Sequence, residues 1–232
     1  MKILSLDTTA LVCSAAICDE KSLIAEITVN TGNTHSETLL PAIEQILKIT
    51  ELGVDDIDVF ASSTGPGSFT GVRIGVATVK GIAYGKNKPC VSVSTLEALA
   101  YNLKGYDGII CPVMNARRNQ VYNALFEWRD GELVRLCPDR ALSISELDDE
   151  LATCDRAVYL CGDGYDITEK GFVKTRISFV PERQRLQSAY SVGCIAYEKF
   201  TRGETVSDAQ LVPIYLRPSQ AERERNEKLG LN

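Results

Sequence analysis

Short runs of apolar residues separated by polar turns dominate the first thirty positions of the chain. The run KILSLDTT ends in Asp7-Thr8-Thr9, and the segment VCSAAICDEKSLIAEITVN contains two more runs joined at a charged turn near Asp19. Apolar segments of this length, bounded by turn residues, are typical of β-strands. The pattern therefore predicts three strands connected as a meander.

A helical spacing of apolar residues comes next. Its apolar positions are Leu39, Leu40, Ile43, Ile46 and Leu47. Thr34 and Glu37 precede them in the T-x-x-E pattern of a capping box. Pro41 conflicts with so early a start, because proline has no N–H and clashes with the preceding helical turn. Two alternatives stay open: a kink at Pro41, or a helix that begins near Thr38.

Strands and helices alternate between residues 57 and 100. IDVFASS has the pattern of a buried strand, STGPGSFTGVRIGVATVKG (Ser63 to Gly81) that of a glycine-rich loop and a helix, and CVSVS that of another strand. A further helix opens at Thr95. Together with the meander this gives the order β-β-β-α-β-α-β-α.

The second half of the chain begins as the first half does. GIICPVMNARRNQVYNALFEW contains a strand, a polar turn at residues 115–119 and an alternating strand. RAVYLCGDGYD is a later strand that ends in a glycine turn, and SAYSVGCIAYEKF has helical spacing. This weak duplication predicts an α/β protein of the actin/Hsp70-like (ASKHA) class, whose two related lobes flank a nucleotide cleft. We expect a first lobe over 1–104, an abbreviated second lobe over 105–206, and a C-terminal arm over 207–232 that could pack on the first lobe.

Composition narrows the function classes. No apolar run reaches membrane-spanning length, and the N-terminus lacks the apolar stretch of a secretory signal, so we expect a cytoplasmic protein without a membrane partner. The formal net charge is −6 and the pI is about 5.0. Proteins that hold nucleic acid unaided usually present a basic face. A small ligand or another protein is therefore the expected direct partner.

Metal and thiol chemistry have little support in the sequence. The chain has eight cysteines but no C-x-x-C pair, and a single histidine, His35. One imidazole cannot complete a His/Cys zinc site or a multi-histidine site. We expect reduced, mostly buried cysteines, no metal, and a structural place for His35 near a helix start.

The glycine-rich loop fits neither common phosphate motif. Gly65, Gly67 and Gly71 are followed by Val72-Arg73, so the lysine and hydroxyl of a P-loop are absent, and the dinucleotide spacing also fails. Gly71 and Gly75 lie four residues apart, which makes a ridge of small residues on one helical face. From the residues alone, this ridge could pack on the protein's own sheet, receive a partner helix, or approach a phosphate.

Two polar turns are candidates for weak nucleotide binding. Asp7-Thr8-Thr9 ends the first strand, where actin-like proteins meet phosphates, but an Asx turn that closes the strand explains the same residues. Arg117 and Arg118 follow Asn115 in the second polar turn, where they could bind phosphate or simply lie in solvent.

Several segments together resemble the bacterial TsaB (YeaZ) family. They are ILSLDTT, HSETLLPAI, STGPGSFTGVRIGVATVKG, NARRNQVYNALF and PIYLRPSQAE, and the likeness extends from Ile3 to about Glu222. The resemblance implies a non-catalytic scaffold or activator subunit in threonylcarbamoyl transfer to the tRNA adenosine next to the anticodon. Its implied partners are a TsaD-like catalytic subunit, a TsaE-like ATPase and, in the absence of the TsaD-like subunit, a second copy of the chain. The resemblance further implies that tRNA is met only through the complex and that ATP or ADP could bind only at the complex interface.

The resemblance also assigns residues. It places no catalytic residue in this chain and puts the partner surface on the first helix and on the helix after the glycine loop. The residues assigned to this interface are Leu39, Leu40, Ile43, Gly71, Val72, Gly75, Val76 and Val79. A stand-alone actin-like ATPase or small-molecule kinase remains the rival interpretation, and it would depend on Asp7, Thr8 and the two arginines.

Overall fold

The computed structural model of the chain describes residues 1–20, 22–217 and 225. Its first half contains five strands: β1 (Ile3–Asp7), β2 (Cys13–Cys18), β3 (Leu23–Val29), β4 (Val59–Ser63) and β5 (Cys90–Val93). They form one sheet in the order β3-β2-β1-β4-β5. The pairs β1–β2 and β2–β3 are antiparallel, which confirms the predicted meander, and β4 and β5 add to it in parallel.

Two helices, α1 (His35–Thr50) and α2 (Phe69–Ala83), cover one face of this sheet, and the short helix α3 (Thr95–Tyr101) follows β5. The alternation of β1 determines what each face buries, because successive side chains of a strand point to opposite faces. Leu4 and Leu6 pack in the core beneath α1 and α2, whereas Ile3 packs in a separate core on the opposite face.

Helix α1 begins at His35, and Pro41 lies inside it. The carboxylate of Glu37 accepts a hydrogen bond from the Thr34 N–H at 3.3 Å, as the capping pattern predicts. A start near Thr38 is therefore wrong. Leu39 already contributes to the core before Pro41 is reached, and such burial stabilises a helix more than local propensity does.

The second half builds a seven-stranded sheet. Its strands are β6 (Ile109–Arg117), β7 (Gln120–Asn123), β8 (Phe126–Arg129), β9 (Glu132–Arg135), β10 (Arg140–Ser143), β11 (Val158–Cys161) and β12 (Ile177–Ser178). Five of them follow the order β10-β7-β6-β11-β12, and the hairpin β8–β9 attaches to β6. Because β6 continues to Arg117, the polar turn is shorter than the predicted 115–119.

The two sheets have the same topology, which bears out the duplication predicted from the sequence. Each has a central strand with an antiparallel neighbour on one side and two parallel strands on the other. The second copy is shorter in its helices: α4 (Ile144–Leu151) has 8 residues against 16 in α1, and α5 (Tyr165–Gly171) has 7 against 15 in α2.

The chain returns to the first sheet after β12 and the short helix α6 (Glu182–Arg185). Helix α7 (Ala189–Thr201) packs on the face of the first sheet opposite α1 and α2, where Val192 and Ile195 join the core of Ile3. Glu26 of β3 fixes the helix start by accepting hydrogen bonds from the Ser188 hydroxyl at 2.8 Å and the Tyr190 N–H at 3.1 Å. The lobe boundaries at residues 104 and 206 stay a prediction.

Residues 209–217, which we name the strap, run along the first lobe and reach the second sheet at Arg217. The Lys80 ammonium donates to the carbonyls of Ala209 and Leu211, Leu211 is buried in the core, and the Ile214 N–H donates to the Thr64 carbonyl at 2.7 Å. Apart from residue 225, the predicted arm beyond residue 217 lies outside the described residues.

All eight cysteines lie within the described ranges and are free thiols. Five of them are buried and three are partly buried. Burial raises the pKa of Cys18 to about 12, so this thiol stays protonated and unreactive. Within the described part of the chain, no helix is long and apolar enough to span a bilayer.

Asp148 on α4 holds the segment before β12. Its carboxylate accepts hydrogen bonds from three backbone N–H groups: those of Val173, Lys174 and Thr175, at 2.8, 3.0 and 2.8 Å. Although burial by itself raises the pKa of Asp148, these hydrogen bonds outweigh it and lower the pKa below its usual range. The carboxylate form therefore stabilises the fold.

We expect Asp148→Asn to lower the free energy of unfolding by about 2 kcal/mol, because an amide has one acceptor oxygen where the carboxylate has two, so at least one of the three N–H groups loses its acceptor. The wild-type contribution is full above the pKa of an unfolded aspartate and is lost as pH falls through the lower folded value. Urea unfolding of the two proteins across acidic pH measures both effects. Asp149→Asn, at the exposed neighbour that pairs with Lys174, is the matched control, and equal losses in both variants would contradict the assignment.

Candidate functional site

A cleft of about 420 Å³ lies between the two sheets. The first lobe contributes the β1–β2 turn and the glycine-rich loop, the second lobe contributes the β6–β7 region and Asp163, and the strap closes one side. The lining residues are Ala10, Leu11, Pro66, Gly67, Ser68, Phe69, Thr70, Asn115, Ala116, Arg117, Tyr122, Asp163, Ile214, Tyr215, Leu216 and Arg217. The cleft therefore has the location predicted for the ligand site of a two-lobed actin-like protein.

The glycine-rich loop brings two backbones together. The Ser68 N–H donates to the Thr9 carbonyl at 2.7 Å, and the Thr8 hydroxyl donates to the Gly71 carbonyl at 2.7 Å. A Cβ atom on Gly71 would collide with the Thr8 carbonyl oxygen, and one on Gly75 would lie 2.6 Å from the Thr8 hydroxyl oxygen. These glycines therefore permit α2 to pack directly on the β1–β2 turn.

This packing places most of the residues predicted to form the partner surface inside the first lobe. Among the interface residues assigned from the sequence, only Leu40 is exposed. The others are covered by the chain itself: Leu39, Ile43, Gly71, Val72, Gly75, Val76 and Val79. The ridge of small residues faces its own sheet, which was one of the alternatives that the sequence left open. A partner on these helices would contact their outer faces instead.

The Asp7-Thr8-Thr9 turn is also turned inward. All three residues are fully buried. One carboxylate oxygen of Asp7 accepts from the Thr9 N–H at 2.9 Å and from the Thr9 hydroxyl at 2.7 Å, and the other accepts from the Ser63 hydroxyl at 2.6 Å. Burial raises the pKa of Asp7 against these hydrogen bonds. This is the Asx turn of the alternative explanation, and none of the three residues lines the cleft.

The second polar turn does reach the cleft. Arg117 lines it, whereas Arg118 is exposed and lies outside the lining residues. Arg117, Arg118 and Asn119 all have a left-handed backbone, with φ of 62°, 53° and 59°. Side chains disfavour this region by about 1–2 kcal/mol per residue. The turn is braced by the Asn115 side chain, which accepts from the Arg117 N–H at 2.8 Å.

Several cleft residues were missed by the sequence analysis. Asp163 accepts a hydrogen bond from the Asn115 N–H at 3.0 Å, and its side chain opens into the cleft. Partial removal of its carboxyl group from water by the surrounding protein raises the pKa of Asp163. The G-D-G sequence after a buried strand was the available signal for Asp163. Tyr215 and Arg217 had no local signal, because only the return of the strap brings them to the cleft.

The single histidine lies at the edge of the same region. The His35 Nε2 is 2.7 Å from the Ala10 carbonyl oxygen, to which it donates. Its Nδ1 is buried without a partner among the described residues. No group of three or more metal-ligating side chains occurs within the described ranges.

Two repeated lobes around a central cleft define the chain as a two-lobed α/β protein of the actin-like class, as predicted. The family model for TsaD, tRNA N6-adenosine threonylcarbamoyltransferase, matches residues 24–223. The chain is 32% identical to the tRNA threonylcarbamoyladenosine biosynthesis protein TsaB of Bacillus subtilis, over 96% of each chain, and 27% identical to TsaB of Escherichia coli, over 95% and 96%. The solved structure of YeaZ from Pseudomonas aeruginosa is similar with a TM-score of 0.78 and 26% identity, covering 93% of this chain and 99% of that one.

This chain belongs to the TsaB family, and the TsaD family model matches most of its length. The family names place it in tRNA threonylcarbamoyladenosine biosynthesis, and the resemblance found in the sequence is confirmed.

The packing of α2 on its own sheet predicts opposite effects on stability at Gly75 and Gly81. We expect Gly75→Leu to lower the free energy of unfolding by about 1–3 kcal/mol, because its side chain would overpack the space held by Thr8 and Ser62. Gly81→Leu is the matched control: a Cβ at Gly81 meets nothing within 4 Å, so this change should stabilise the helix by up to about 1 kcal/mol. Chemical denaturation at a protein concentration where each variant is monomeric measures both. Equal stability of the two variants would contradict the inward ridge.

Proposed function

We propose that the chain is the non-catalytic scaffold or activator subunit of a tRNA threonylcarbamoyltransferase complex. In this proposal it pairs with a TsaD-like catalytic subunit that transfers the threonylcarbamoyl group to the tRNA adenosine next to the anticodon. A TsaE-like ATPase joins the pair, a homodimer forms in the absence of the TsaD-like subunit, and the assembly works in the cytoplasm. ATP or ADP is expected only at the interface of the complex.

The observation that carries the proposal is the internal bonding of the Asp7 turn. The polar atoms that an actin-like enzyme would direct at phosphate here bond to Thr9, Ser63 and Gly71. The single histidine of the chain is held by the Ala10 carbonyl. In this chain the Asp7 carboxylate, the Thr8 hydroxyl and the His35 ring are bonded within the fold. A chain that resembles TsaB and has these groups occupied is better suited to bind a partner than to catalyse a reaction.

The outer faces of α1 and α2 supply a suitable partner surface. Tyr84 at the end of α2 is 79% exposed, and Leu40 on α1 is 51% exposed. Ala77 and Gly81, four residues apart, are also exposed on α2. This second pair of small residues faces outward, where it permits close approach of another helix, and the exposed Tyr84 lies three residues beyond Gly81.

Size-exclusion chromatography with light scattering tests the assembly. We expect the chain alone to be a homodimer and to become a one-to-one heterodimer with the TsaD-like subunit of the same organism. Gly81→Arg should block both associations, because it places a long charged side chain in the contact, yet leave the monomer folded. The control is Ala152→Arg, which adds the same side chain at an exposed position of the second lobe. A monomer indifferent to the TsaD-like subunit, or normal assembly of Gly81→Arg, would contradict the proposal.

The rival function, a stand-alone ATPase or small-molecule kinase, is favoured only by the cleft itself. Asp7→Asn separates the two proposals. Asparagine keeps an acceptor for the Thr9 N–H and can donate to the Ser63 hydroxyl, so the fold should tolerate the change. We expect the reconstituted complex to keep its full rate of threonylcarbamoyl transfer. An ATP hydrolysis rate of the isolated chain that disappears in the folded variant would support the rival instead.

A further inference from the structure

Among the described residues, two arginines near the cleft pair only with neutral groups: Arg217 lines the cleft, and Arg73 contacts the Phe69 and Tyr215 side chains that line it. Arg217 donates to the Gln120 side-chain carbonyl at 2.5 Å and lies over the ring of Tyr122. Arg73 donates to the Tyr215 hydroxyl at 2.8 Å and lies 4.2 Å from the centre of the Phe69 ring. In the described part of the chain neither guanidinium lies within 4.0 Å of a carboxylate. Their charge is therefore available to an anion, although the chain as a whole carries −6.

Backbone donors and aromatic rings lie in the same place. The first two N–H groups of α2, on Phe69 and Thr70, have no acceptor among the described residues, and both residues line the cleft. The rings of Phe69 and Tyr215 stack at 4.0 Å with an angle of 13°, and Tyr215 and Tyr122 both line the cleft. The cleft thus combines anion-binding groups with flat apolar faces, as proteins that bind single nucleic acid strands do.

The charge of the site limits which phosphate it suits. A triphosphate binds with a metal ion that needs several acidic ligands, but Asp7 is buried and bonded to its own turn, which leaves Asp163 as the single acidic side chain among the described residues that line the cleft. Asp163 opens into the cleft and would repel a highly charged group. A phosphodiester carries a single negative charge and needs no metal, so it fits the arginines and the start of α2 better.

We propose that the cleft receives one unpaired nucleotide of the tRNA. The phosphodiester lies at the start of α2 next to Arg217 and Arg117, the base packs against Tyr122 or Tyr215, and Asp163 accepts a hydrogen bond from the ribose 2′-hydroxyl or a base amino group. This inference rests on the proposed function for the identity of the RNA, and it gives the scaffold subunit a direct share in holding the substrate.

Fluorescence anisotropy with a short, fluorescein-labelled single-stranded RNA tests the cleft, with the chain alone and with the TsaD-like complex. We expect Arg217→Glu to weaken binding about tenfold. Because one phosphate contact is lost, log affinity should also fall less steeply with log salt, the magnitude of the slope decreasing by about 0.7. Arg217→Lys should retain most of the affinity. Arg176→Glu, at an exposed arginine that does not line the cleft, is the matched control and should bind as the wild type does.

Two further measurements, with a DNA strand and with ADP, distinguish an RNA strand from a free nucleotide as the occupant of the cleft. We expect a DNA strand of the same sequence to bind more weakly, because it lacks the 2′-hydroxyl, and ADP not to displace the RNA. Displacement by ADP would identify a free nucleotide as the occupant and overturn the inference. The absence of wild-type RNA binding in both samples, or equal binding by Arg217→Glu, would also overturn it.

Measuring both assembly and RNA binding for the wild type and Arg217→Glu separates a failure of the proposed function from a failure of the cleft inference. Arg217→Glu should assemble normally with the TsaD-like subunit, because the Arg217 side chain lies against Gln120 and Tyr122 of the second sheet and not on α1 or α2. If the wild type binds RNA through Arg217 but does not assemble, only the proposed function fails. If it assembles but its RNA binding does not depend on Arg217, only the cleft inference fails.

Discussion

The direct contact between the β1–β2 turn and the first turns of α2 is the constraint on which the first lobe depends. The two backbones meet without an intervening side chain at Gly71, where a Cβ would collide with the Thr8 carbonyl. Hydrogen bonds from the Ser68 N–H and the Thr8 hydroxyl lock the contact. This contact sets the depth at which α2 lies on the sheet, and hence which of its faces is left for a partner.

The same contact changes the chemistry of the turn. The contact with α2 buries Thr8 and Thr9, and Asp7 is buried with them, away from the cleft. Thr9 and Ser63 donate hydrogen bonds to the Asp7 carboxylate. What remains in the cleft is a different set of groups: backbone N–H groups of α2, arginines from two segments and aromatic rings. The actin-like architecture is kept, while the side chains that face the cleft differ from the Asp7 turn predicted to face it.

The strap then joins the two halves. It runs from the core beneath α2, through the Ile214–Thr64 hydrogen bond, to Gln120 on β7 of the second sheet. Helix α7 returns to the first sheet in the same way, capped by Glu26. Helix α7 and the strap therefore pack on the first sheet although they follow the second sheet in the sequence, and Arg217 of the strap also contacts the second sheet.

Local pattern was enough for the elements whose cause is local. The short apolar runs of β1 to β3, the capping box at Thr34 and Glu37, and the repeat of strand, turn and strand all correspond to observed structure. The family was also readable, because the glycine-rich segment is distinctive. By contrast, periodicity identified the small-residue ridge of α2 but not the side that it faces, since Gly71–Gly75 and Ala77–Gly81 have the same spacing.

What the sequence determined by itself was therefore the class of fold, the order of its elements and its family. Only the tertiary structure decided that Asp7 is bonded inside the fold, that the interface assigned to Val72, Val76 and Val79 is core, and that Tyr215 and Arg217 line the cleft. The physical reason is that burial and charge pairing depend on contacts between residues far apart in the chain. A helix or strand pattern records which face is apolar, but the neighbour that covers this face is chosen by the packing of the whole molecule.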